Sequence, residues 1–162
     1  MPDTEIQMLL DLIDQAYNRR SWHGTNLRGS LRSVTAAKAA WRPEPGRHNI
    51  WELVVHAGYW KYIVHRRLAR QPSGSFALRG SNWFLRPQRE PTEFDWKQDI
   101  GLLDDIHRSL RSAIAALNPK ALSHKPAGSK VSNLKLITGI VAHDLYHAGQ
   151  IQLLKRLARA DS

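Results

Sequence analysis

Apolar side chains recur along this chain with the 3.6-residue period of amphipathic helices, in four separate segments. The first spans about Thr4 to Arg19 and sets Ile6, Leu9, Leu10, Ile13, Ala16 and Tyr17 on one side, with Thr4 and Gln7 spaced as a capping box. The second opens at Asn49, a good N-cap type with Glu52 at the third helical position, and runs to about Arg70. Its stripe is Leu53, Ala57, Trp60, Val64 and Leu68. The third begins after Pro91-Thr92 and carries Trp96, Ile100, Leu103, His107, Leu110, Ile114 and Leu117. The fourth starts near Ser132 and continues to about Ala158, aligning Leu136, Ile140, His147, Ile151 and Leu154. No segment alternates as a strand would. The pattern predicts an all-α protein, a four-helix bundle.

The connections refine this. Residues 20–47 suggest one or two short helical pieces that stop at the Pro43–Gly46 turn. Residues 71–91 form a long, turn-rich connection that still holds Phe76, Trp83 and Phe84. A loop of that length can cross a whole bundle, because a helix of about 20 residues spans only about 30 Å. It is therefore expected to be a crossover between the second and third helices, making them parallel neighbours. Its aromatic content predicts a packed segment or a lid.

At 162 residues, with 42% hydrophobic and 23% charged positions, the chain suits a single globular domain over residues 1–162. Cysteine is absent, which removes disulfides, thiolate metal ligands and a cysteine nucleophile together. The first residues, MPDTEIQMLLDLIDQ, lack the basic and apolar regions of a signal peptide, and no stretch approaches the roughly 20 apolar residues of a membrane span. A cytoplasmic protein is the expectation. The net charge of +10 favours anionic partners, but the basic residues are scattered (Arg19-Arg20, Arg66-Arg67, Lys155-Arg156) and form no tail. A solvated basic surface explains that better than nucleic-acid binding, which stays the lesser alternative.

Eight histidines are the main chemical resource. In VAHDLYHAGQI, His143 and His147 lie four apart, one turn along one helix face and within the apolar stripe, close enough to share a metal ion. Buried imidazoles need partners, since an unsatisfied buried polar group costs on the order of 1–3 kcal/mol. A third ligand has two sources of equal standing by periodicity: His56 at the edge of the second stripe and His107 within the third. His65 points away from its stripe, His48 and His124 sit outside helices, and His23, in SWHGT, is a pocket-lining candidate. HDLYH differs from the HExxH of metalloproteases by having Asp144 where those use a glutamate base, so peptidase chemistry is disfavoured.

Four stretches, WHG after the first helix, RHNIWELVVHAGYWKYIVHRRL, GSNWF and AHDLYHAGQIQLLKRL, resemble the DinB/YfiT-like superfamily of bacterial metalloenzymes. The resemblance covers most of the chain and is most specific in the last stretch. It implies a four-helix bundle with metal ligands His56, His143 and His147, and leaves His107 a supporting or packing role. It also implies a homodimer, and activity as a transferase that uses a low-molecular-weight thiol such as bacillithiol or mycothiol. An all-nitrogen set suits a divalent ion, Zn or Ni foremost, with Fe, Mn or Cu as alternatives. Such an ion keeps an open position where a bound water or thiolate would be the reactive group. Glu52 and Asp144 are candidates for fixing the ligand rings, and Gln150 and Tyr59 for lining the pocket. The substrate is expected to be a small molecule, anionic if the basic surface serves it. The alternatives are a non-enzymatic metal-binding stress-response module and a metal-dependent hydrolase.

Overall fold

The computed structural model describes residues 3–71 and 74–160; residues 72 and 73 of the long connection, and the two residues at each end, lie outside the described residues. The elements are α1 (Thr4–Tyr17), α2 (Leu27–Ser30), α3 (Ala36–Ala40), α4 (Ile50–Leu68), α5 (Glu93–Ala115), a 3-10 turn at Pro119–Ala121, and α6 (Asn133–Ala160). No strand occurs among the described residues, and no helix among them is long and apolar enough to cross a membrane. The protein is all-helical.

Side chains read as caps close several helix starts. Asn49 accepts from the Glu52 amide at 2.8 Å, and Thr92 from that of Asp95 at 3.1 Å. The first helix differs from expectation: Asp3 is its N-cap and accepts from Glu5 N, so Thr4 lies inside the helix rather than capping it. A carboxylate at that end also meets the positive pole of the helix.

Asn49 does more than cap. Fully buried, it donates through Nδ2 to the carbonyls of Ala40 (3.3 Å) and Arg86 (2.8 Å), joining α3, α4 and the long connection. Asn49→Ala removes the cap and orphans a buried carbonyl, so it should destabilise the protein by about 2 kcal/mol or more in urea unfolding. A loss under about 0.5 kcal/mol would deny it this role.

The core has two apolar clusters. One gathers Tyr17, Leu27, Trp51, Val54, Trp96, Leu103 and Ile151; the other Ile6, Ile13, Val64, Leu110, Ile114, Ile137 and Ile140. Along α4 and α5 the chain passes from the first cluster to the second, and along α1 and α6 from the second to the first. Where the long helices cross from one cluster to the other they carry polar groups: Asp14, Lys61, His107 and Asp144, all buried. A polar layer thus separates two oily ones. Its charged members are compensated: Asp14 by a bidentate Arg111, Lys61 and Asp144 by each other.

This layer corrects one sequence expectation. Trp60, placed in the stripe, is only half-buried, whereas its neighbour Lys61 is wholly enclosed. Lysine can occupy the interior here because its ammonium finds Asp144 Oδ2 at 2.5 Å, His107 Nδ1 at 3.3 Å and the face of Tyr17.

The long connection is packed against α4. Phe76 and Phe84 lie 5.2 Å apart between ring centres, and each meets the ring of Tyr59.

Candidate metal centre

α4 contributes His56 and α6 contributes His143 and His147, one helical turn apart. The structure brings the three rings together: His143 Nε2 lies 3.1 Å from His56 Nε2 and 3.0 Å from His147 Nε2. One ligand atom from each ring falls within 4.8 Å of the others. His56 and His147 are buried and His143 is half-buried. Among the described residues this is the group of three or more potential ligands that could hold a metal ion.

The surroundings decide which nitrogens present lone pairs. His56 Nδ1 donates to the backbone carbonyl of Asn82 at 2.8 Å, and His147 Nδ1 donates to Gln150 Oε1 at 2.6 Å. Both acceptors lack a proton to give, so each Nδ1 carries the hydrogen and each Nε2 turns a lone pair inward. His143 Nε2 can offer at most one N–H to these two lone pairs, and its buried Nδ1 has no partner among the described residues. Three imidazoles alone therefore cannot satisfy one another. A cation at their meeting point can satisfy all three, and neutral nitrogen donors are the set a divalent transition ion accepts.

Electrostatics keep the rings in the ligating form. Burial pulls all three below the ordinary histidine value. For His143 the neighbouring imidazoles and Lys61 add to burial and take it to about 3. His147 falls to about 4, chiefly by burial, with its bond to Gln150 opposing.

The long connection shapes one wall. Asn82 adopts a left-handed backbone conformation (φ 64°), and its side-chain oxygen accepts from the Trp60 indole at 2.9 Å. That anchors the carbonyl that holds His56. Trp83 next to it is sandwiched flat between His48 (3.6 Å) and His56 (3.8 Å). On the other side Tyr146, exposed, sets its ring edgewise to His147 at 5.2 Å.

Several candidates fall elsewhere. Glu52 does not reach His56; buried, it pairs with Arg42, with His48 Nδ1 (3.0 Å) and with the Arg86 amide (3.3 Å), and so ties down the long connection. Asp144 follows His143 in sequence but projects into the polar layer toward Lys61, because adjacent helical positions point about 100° apart. His107 stays in that layer, stacked on Tyr17 at 3.7 Å. Tyr59 faces the aromatic side of the connection rather than the histidines. His23 is exposed and outside the cluster, and His65 is half-buried rather than fully at the surface. The residues that hold the rings, Asn82 and Gln150, include a backbone carbonyl that no residue type announces; the turn-forming GSNWF string was its only signal.

An all-helical protein with a buried trio of converging imidazoles is a recognisable class. The sequence model of the DinB superfamily matches residues 19–151, and the chain belongs to that superfamily. No curated protein and no solved structure gives a match.

Proposed function

We propose that the protein holds one divalent metal ion on His56, His143 and His147 and uses it in a transferase reaction with a low-molecular-weight thiol. The observation that carries this reading is the convergence of three neutral imidazole nitrogens, two with tautomers set by Asn82 and Gln150. A bound ion would supply Lewis acidity and lower the pKa of a thiol or water placed on it. The chain's own contribution is orientation and cover. Asn82 and Gln150 fix the rings, Trp83 covers a face of His56, and Tyr146 stands edgewise beside His147. The four long helices read as a bundle in which the 69–92 connection crosses over between parallel α4 and α5, holding the Asn82 wall over the site.

Elemental analysis after purification without a chelating resin tests the premise. Close to one ion per chain is expected, and less than about 0.2 that no added ion restores would defeat it. His143→Ala should abolish stoichiometric loading, and Gln150→Ala should weaken affinity about 10–100-fold. Turnover of an electrophile with bacillithiol, mycothiol or glutathione, lost in His143→Ala, supports the transferase. A fully loaded protein inert with every thiol would instead support a non-enzymatic metal-binding module, and thiol-independent hydrolysis the hydrolase.

A further inference from the structure

On a different side of the molecule, the segment after α1, the short α2 and the flanks of α5 and α6 enclose a cleft of about 1120 Å³. None of the three clustered histidines lines it. Its walls carry six cationic side chains, Arg20, Arg28, Arg32, Arg108, Lys155 and Arg159, against a single carboxylate, Asp104. We infer that this cleft is a second ligand site, taking a small molecule that bears two or more linked phosphate groups.

The one acid is already committed. Asp104 accepts from Arg28 Nε at 2.9 Å and from the Tyr17 hydroxyl, so it offsets Arg28. Arg108 has Asp105 beside it on its own helix. The guanidinium groups of Arg20 and Arg32 are exposed and make no hydrogen bond or ion pair among the described residues. Lys155 donates to the carbonyls of Ser30 (2.8 Å) and Arg32 (2.9 Å), which holds its ammonium in place and leaves one N–H to give. Burial, and then the charges of Arg159, Lys38 and Arg32, pull Lys155 below the ordinary lysine value. Like charges so crowded are relieved by a multiply charged anion.

The chemistry of the cations selects the anion. Planar guanidinium forks match phosphate oxygens two at a time. At about 1120 Å³ the cleft exceeds the roughly 300–1,000 Å³ of typical small-molecule sites, so it has room for more than one phosphate group among its several cations. Linked phosphates use that room. The inference does not depend on a metal at the histidine cluster.

Calorimetric titration with sodium pyrophosphate tests it, on the full chain and on His143→Ala, so that an ion held by the histidines cannot account for the heat. Both should bind alike. The double variant Arg20→Gln/Arg32→Gln should weaken binding about tenfold or more, whereas Arg79→Gln/Lys97→Gln, which removes the same charge elsewhere, should change it less than about twofold. Equal weakening by the two double variants would mean diffuse charge attraction and overturn the site. So would no pyrophosphate binding below about 1 mM, citrate binding at least as tightly, or preference for a duplex oligonucleotide in its place.

Discussion

Lys61→Met is expected to cost about 3–5 kcal/mol of folding stability, because it strands a carboxylate in the interior. Lys61 and Asp144 are both completely enclosed, and Asp144 Oδ1 already lacks a hydrogen-bond partner among the described residues. Burial raises the Asp144 pKa, and the ammonium of Lys61 is what opposes that rise. With methionine at position 61 the volume is nearly kept while the opposing charge vanishes. The second variant separates charge from packing: Lys61→Met/Asp144→Leu removes both members and should recover most of the loss. Urea unfolding of the three proteins decides it. If the double variant is as unstable as the single one, packing rather than the stranded charge is responsible.

Acid should unfold the metal-free protein early, with His107 as a main cause. Burial, followed by the charges of Lys61, Arg111 and Arg108, holds its pKa down to about 3. The unfolded chain titrates this ring near 6.5. Between about pH 6.5 and 3 the unfolded state therefore takes up a proton that the native state refuses, so stability falls as pH falls, by up to about 1.4 kcal/mol per pH unit for each such ring. His143 and His147, held at about 3 and about 4, act in the same direction when no ion occupies them. His107→Phe keeps a ring against Tyr17 but nothing to protonate. In chelator-treated protein the slope of unfolding free energy between pH 6 and 4.5 should be shallower by about one proton in this variant. An unchanged slope would remove His107 from the acid response.

The helical class and the four long helices follow from periodicity, because an amphipathic stripe leaves its mark at every turn, while the packing of the long connection follows from its aromatic content. The His143 and His147 pair was legible from the same stripes. Periodicity did not decide between His56 and His107, since both lie on buried arcs; the family resemblance pointed to His56, and tertiary packing sends His56 to the cluster and His107 to Tyr17. Lys61 was hidden because a lysine next to a tryptophan reads as the exposed member of the two. Its burial depends on Asp144, 83 positions away. Glu52 was misplaced on similar grounds, since its partners Arg42 and Arg86 come from segments with no periodic signal.

The polar layer between the two apolar clusters also fixes how the helices slide past one another. Oily surfaces are tolerant of a shift by one turn, about 5.4 Å, because one leucine or isoleucine serves much like the next. A lysine and an aspartate that must meet inside the protein are not. If α6 slipped a turn against α4, Asp144 would leave Lys61 and both would be stranded, so the pair acts as a locking pin for axial alignment. His143 is the neighbour of that aspartate, and His56 lies on the same helix as that lysine. The pin that sets the alignment of α4 against α6 thereby sets the height at which the imidazoles of the two helices face each other.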